Sequence, residues 1–179
     1  MMITCLDIET TFKKDDLMPY NGNNQIVSVG YKTHTGKEDY LWFYHKEREP
    51  TENGKEKLQN ILKNTKLLIG HNIKFDLAWL ISCDFTYDRS IFDTMVAEYV
   101  ISRGLHRDLS LDGSCKRRKV KQKKKYLIQD YMKSGVSMED IPYKLVEEYG
   151  IADVNCTYEL ALEQMKILET DLNDFSKYN

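Results

Sequence analysis

The chain lacks most of what would set it apart from ordinary globular proteins. No apolar run approaches the roughly 20 residues that cross a membrane. No basic-then-apolar leader opens the sequence, so the expectation is a protein that works where it is made, in the cytoplasm. Its four cysteines, Cys5, Cys83, Cys115 and Cys156, are scattered and form no C-x-x-C pair. That spacing argues against a structural zinc site and reads as free thiols in a reducing compartment. There is no internal repeat, no low-complexity linker and no sign of a second domain. At 179 residues, 41% apolar and 30% charged, the composition is that of one globular domain spanning 1–179, large enough for a substantial core.

Charge of one sign is also scarce overall. A formal net charge of −2 would ordinarily argue against a nucleic-acid partner, but the distribution reverses this. Lys116-Arg-Arg-Lys-Val-Lys-Gln-Lys-Lys-Lys125 carries eight positive charges in ten residues, so the other 169 residues hold −2 − 8 = −10. An acidic body with one concentrated basic segment suits a protein that collects metal ions at one place and grips phosphates at another. The same run also reads as a solvated loop, a docking patch or, by composition, a nuclear localisation signal.

The apolar pattern predicts strands first and helices later. Residues 2–8, 25–33, 39–45 and 66–70 read as strands, with Asn21-Gly-Asn-Asn24 and His34-Thr-Gly36 as turns. Helices are expected at 51–64, 75–82, 94–102 and 110–118, the third with Asp93 as its N-cap rather than as a metal ligand. Ser137-Met-Glu-Asp140 resembles another N-cap, ahead of a long helix over 143–170 in which Gly150 is a soft spot.

What stands out is a set of oxygen-bearing side chains. Asp7 and Glu9 lie two apart on the first strand and so project from one face. Tyr149 and Asp153 lie four apart in the long helix and share a face as well. Asp76 falls between, in His71-Asn-Ile-Lys-Phe-Asp76. Each has a plain alternative: surface acids at Asp7 and Glu9, a first-turn helix acid at Asp76, a core tyrosine and a solvated acid at Tyr149 and Asp153. Together, four carboxylates and a phenol form a hard site for two divalent metals and phosphate chemistry. Asp7 would bridge the metals, Glu9 and Asp153 would complete one shell, Asp76 would hold the other ion, and Tyr149 would orient the attacking water.

Leu6-Asp-Ile-Glu-Thr10, Gly70-His-Asn-Ile-Lys-Phe-Asp76 and Tyr149-Gly-Ile-Ala-Asp153 resemble, in order and spacing, the three motifs of the DEDD exonucleases. The subgroup is the one with tyrosine before the last aspartate; its histidine counterpart would stand at Glu148. Asn-Ile-Lys-Phe-Asp76-Leu, Ile91-Phe-Asp-Thr-Met95 and Ser110-Leu-Asp-Gly-Ser-Cys-Lys-Arg117 look most like the 3′–5′ proofreading domain of family A DNA polymerases. Ser114 replaces that family's usual leucine. The resemblance spans roughly residues 2–168. It implies an α/β, ribonuclease H-like fold: a mixed five-stranded sheet flanked by helices, a largely helical C-terminal half, and metals (Mg²⁺ or Mn²⁺) at the sheet's edge.

It further implies cleavage of single-stranded DNA from the 3′ end to nucleoside 5′-monophosphates. Asn72 and Thr10 match residues at the terminal nucleotides. Phe12 is a candidate stacking wedge or a core residue, and Arg107 with Lys116, Arg117 and Arg118 are candidate phosphate contacts. Since no polymerase domain follows Asn179, a free-standing exonuclease or a proofreading subunit for a separate polymerase is expected, and the architecture suggests bacteriophage replication. The rivals are a ribonuclease D-type exoribonuclease and a non-catalytic nucleic-acid binder or polymerase-docking subunit.

Overall fold

A computed structural model of the chain describes residues 2–11, 19, 24–105, 108–120 and 125–172. Five strands form one mixed sheet: β1 (Met2–Thr10), β2 (Ile26–Thr33), β3 (Glu38–Trp42), β4 (Thr65–Gly70) and β5 (Ser90–Asp93). Their order is β3-β2-β1-β4-β5, so β1 is central. It runs antiparallel to β2 and parallel to β4. β5 pairs with β4 through Leu67 to Gly70, a four-residue edge strand that the apolar pattern alone does not mark.

The helices are α1 (Gly54–Asn64), α2 (Ile73–Ser82), α3 (Thr94–Ile101), α4 (Leu111–Arg118), α5 (Gln129–Lys133) and α6 (Tyr143–Ile167). Strand alternation sorts them into two layers. Leu6, Ile8, Val29, Tyr31, Leu41 and Leu68 face one side and pack against Leu58 and Leu62 of α1 and Trp79 and Leu80 of α2. Ile3, Cys5, Leu67 and Ile69 face the other, against Ala97 of α3 and Val154, Ala161 and Met165 of α6. With both faces covered, β4 can be apolar without alternation, which is why Leu67-Leu-Ile69 reads as a continuous run.

Several local expectations are corrected. α1 starts at Gly54, because the Thr51 hydroxyl is engaged by the Trp42 amide at 2.8 Å. Ser137 stands at the N-cap of a short 3₁₀ turn over 138–140, with its hydroxyl turned to Glu139, rather than at the start of α6. Gly150 is a seat for α6 rather than a weakness in it. A Cβ there would meet the Tyr40 side chain at 2.6–3.0 Å, and one at Gly30, in the strand below, would meet Val154 and Tyr40 at 3.1–3.2 Å. Two missing side chains therefore let α6 lie close on β2 and β3.

Candidate active site

Asp7 and Glu9 continue the odd-numbered series of β1, so they emerge on the face that α6 covers, just past Ile3 and Cys5. α6 presents Tyr149 and Asp153 to that face, one turn apart. From the parallel side comes α2. Pairing between β1 and β4 ends at Cys5 and Ile69, while β1 stays paired with β2 through Thr10. The second half of β1 thus has unclaimed backbone on its α2 side, and Asp76 Oδ1 accepts the Ile8 amide there at 3.1 Å. All five oxygen-bearing residues line one cavity of about 200 Å³, with Asn72, His71, Ile8, Phe75 and Leu111. The site lies at the C-terminal end of the central strand.

The electrostatics are those of crowded like charge. Burial, and next the charge of Asp7, push the Asp76 carboxyl well above its usual range, against the hydrogen bonds it accepts. Burial also pushes the Tyr149 phenol far up, reinforced by Glu9, Asp153 and Asp7. That shift favours the protonated phenol, which can hold or orient a water by hydrogen bond.

The donor set fits divalent cations. It is made of hard carboxylate oxygens, no lysine or arginine is among the described residues that line the cavity, and Asn72 Oδ1 is buried without a hydrogen-bond partner. Among the described residues, no three His, Cys, Asp or Glu side chains are drawn tightly enough together to hold an ion as they stand.

Residues 6–169 match the profile of a 3′–5′ exonuclease family, the type found in family A DNA polymerases. This chain belongs to that family. Solved structures share the fold of this exonuclease at low identity. Brucella melitensis NrnC is 21% identical with a TM-score of 0.62, over 98% of this chain and 77% of that one. The family B DNA polymerase of Pyrobaculum calidifontis is 17% identical with a TM-score of 0.64, over 93% of this chain and 24% of that one. Pol1 from M. smegmatis, solved with DNA primer-template and dNTP, is 13% identical with a TM-score of 0.61, over 94% and 24%. No curated protein matches the sequence. This exonuclease thus spans about a quarter of the two polymerases and most of NrnC.

The remaining expected contacts of the exonuclease divide three ways. Thr10 lines a second, more apolar cavity of about 300 Å³ that shares Ile8, Glu9 and Phe75 with the first and adds Met132, Val136 and Met138. The sequence pattern does not mark those last three residues. They come from α5 and the turn after it, and nothing in their local spacing ties them to Thr10. Phe12 and Arg107 lie outside the described residues, as do 121–124 of the basic run. Lys116 is exposed on α4.

Arg117 and Arg118 have partners inside the fold. Both bond to Glu98 of α3 at 3.0 Å, Arg118 through two nitrogens, and Glu98 is fully buried. Gln164 of α6 donates to the same carboxylate at 3.0 Å. Burial raises the Glu98 carboxyl, but the bonds from Arg118, Gln164 and Arg117 outweigh it and leave it below its usual range. These arginines neutralise a core acid and tie α4 to α3 and α6, a structural role that the sequence run does not reveal.

Proposed function

We propose that the chain is a metal-dependent 3′–5′ exonuclease that trims single-stranded DNA ends to nucleoside 5′-monophosphates, in proofreading or end processing during replication, bacteriophage replication included. The observation that carries this reading is the convergence of Asp7, Glu9, Asp76, Tyr149 and Asp153 on one cavity from three separate elements. Two divalent cations held by the four carboxylates, Mg²⁺ or Mn²⁺, would activate the attacking water and offset charge on the leaving 3′ oxygen.

The chain's own groups do the positioning. Asp7, whose charge acts on both Asp76 and Tyr149, would be the carboxylate that serves both ions. Tyr149, kept neutral, can fix a water by hydrogen bond without taking its proton. The apolar cavity beside Glu9 suits a terminal base that has left its stack, with Phe75, Met132 and Met138 as surfaces that accept any base. A single strand is favoured because a paired base cannot enter without unpairing. A separate polymerase remains a candidate partner, with the exposed Lys116 end of the basic run as the candidate contact.

A second reading, trimming of RNA or very short oligonucleotides, draws on NrnC. That structure matches this chain over nearly its whole length and has been solved with pGG and with Mg²⁺. The test is a gel assay on matched 5′-labelled single-stranded DNA and RNA with Mg²⁺, Mn²⁺ or EDTA. A ladder shortening from the 3′ end, faster on DNA and abolished by EDTA, supports the proposal. Faster trimming of RNA transfers it to the second reading, and binding without cleavage of either overturns both.

A further inference from the structure

Asp93, outside the cavity, serves two helices with one carboxylate. As the N-cap of α3, its Oδ1 accepts from Met95 N at 2.9 Å and Val96 N at 3.4 Å. That is the role expected from its place before a helix. The same carboxylate also reaches across to α2, where Oδ1 accepts from Asn72 N at 3.0 Å and Oδ2 from Ile73 N at 3.1 Å. α2 needs that help. Its own N-cap, Asn72, sits at φ 59°, ψ 44°, in the left-handed region, and its side chain makes no capping bond. The first amides of a helix have no partner within the helix, and here they are met from another element.

The next residue repeats the pattern. Thr94 Oγ1 donates to Gly70 O at 3.2 Å and lies 2.9 Å from His71 Nδ1. Thus Asp93 and Thr94 grip every residue from Gly70 to Ile73. What that grip controls is visible in the cavity. The left-handed backbone turns Asn72 so that its Oδ1 is buried without a partner beside the carboxylates. It also sets the start of α2, whose fourth residue is Asp76. A free Asn72 would favour ordinary capping with its own side chain, which would pull that oxygen out of the cavity and rotate the first turn of α2.

We propose that Asp93 is a positioning residue for the nuclease site: by holding the amides of Asn72 and Ile73 it presents Asp76 to the metal and Asn72 to the nucleic-acid strand. This rests on the exonuclease reading of the carboxylates. Partners of metal ligands that orient them typically change affinity or activity by about 10 to 100-fold when removed, and the effect at Asp93 falls in that range.

The experiment compares the wild-type chain, Asp93→Ser, Asp93→Asn and Asp76→Ala. Serine is as good an N-cap as aspartate for α3 but is too short to reach α2. Asparagine keeps an oxygen for α3 and turns an amide donor towards Ile73 N–H. For each protein, Mn²⁺ binding is titrated calorimetrically without substrate, and cleavage of single-stranded DNA is followed against Mn²⁺ concentration. Folding at room temperature is checked by circular dichroism.

Asp93→Ser, folded, should bind Mn²⁺ about tenfold more weakly and recover much of its cleavage rate at high Mn²⁺. Asp76→Ala should recover neither. Metal-dependent rescue is something a merely structural cap would not produce. If Asp93→Ser does not fold, Asp93→Asn carries the same comparison. If either Asp93 variant is folded with wild-type Mn²⁺ binding and rate while Asp76→Ala loses both, Asp93 only caps α3 and the proposal falls alone. If Asp76→Ala also behaves as wild type, the carboxylate site itself has been misread.

Discussion

Glu98 and Asp76 are both buried acids, and the chain treats them in opposite ways. Glu98, with no exposed surface, is surrounded by Arg117, Arg118 and Gln164 and is held below its usual pKa. Asp76, 3% exposed, has Asp7 and Asp93 as the charges that act on it and is held well above. Burial alone would raise both. The difference is that one acid has been neutralised by cationic partners and the other sits among acids. Cores do the first wherever they can, since an uncompensated buried charge costs several kcal/mol. Where the second is found, the fold is tolerating a cost at that point, and the tolerance is the better indicator of chemistry.

The comparison can be broken at either end. The largest effect is expected from Asp7→Ala, which removes the carboxylate proposed to serve both ions. Cleavage should fall by at least about 1,000-fold, while binding of single-stranded DNA, measured by fluorescence anisotropy, stays within a few-fold. Near-normal turnover would mean the cavity is not the reaction centre. Tyr149→Phe should slow cleavage by about 10 to 1,000-fold with Mn²⁺ binding retained. Loss of Mn²⁺ binding would make the phenol a ligand and not a water-positioning group.

At the other end, Glu98→Ala strands two arginines that are only partly open to water. Urea unfolding should show a loss of about 2–4 kcal/mol, with activity per folded molecule largely unchanged. An unaltered midpoint would mean that the arginines are solvated and free for other partners.

The smallest effect is the most diagnostic. In EDTA, Asp76→Asn should unfold at a higher temperature than wild type near neutral pH, by an amount worth about 1 kcal/mol, while cleavage is lost. The sign follows from linkage. A carboxyl raised on folding contributes stability that is complete below its unfolded pKa and is lost as pH rises through its folded value. Glu98, lowered on folding, contributes stability that is present above its unfolded pKa and is lost as pH falls through its folded value. Acid titration of the two variants in EDTA should therefore separate: Glu98→Ala flattens the acid side of the stability profile, and Asp76→Asn removes the decline on the other.

Much of this is legible in the amino-acid sequence itself. Asp7 and Glu9 share a face because a strand has period two, and Tyr149 and Asp153 because a helix has nearly four residues per turn. Both rules hold whatever the surroundings. Asp93 as a cap is equally local, since a cap is made within three residues. What the sequence hides is contact between elements. The eight charges of the basic run look alike as letters, and only Glu98, some twenty residues earlier and buried under α4, sorts Arg117 and Arg118 from Lys116. The second half of Asp93's role depends on α2 beginning beside β5, a four-residue strand too short to carry a pattern. Met132, Val136 and Met138 reach Thr10 only because the chain turns back after α5.

Gly150 also fixes a clearance between two layers of the molecule. The distance between Tyr149 and Asp153 is set by the helix that carries both, and no repacking alters it. Their distance to Asp7 and Glu9 is set by how far α6 stands off the sheet, and at Gly150 the hydroxyl end of Tyr40 fills that gap, 2.6–3.0 Å from where a Cβ would stand. The two spacings are therefore independent adjustments. A single methyl group at position 150 would lift both helix-borne groups away from both strand-borne groups, while each pair kept its own spacing. An enzyme whose site is assembled across two layers is gauged by the layer gap, and in this chain the gap is held at a residue that has no side chain.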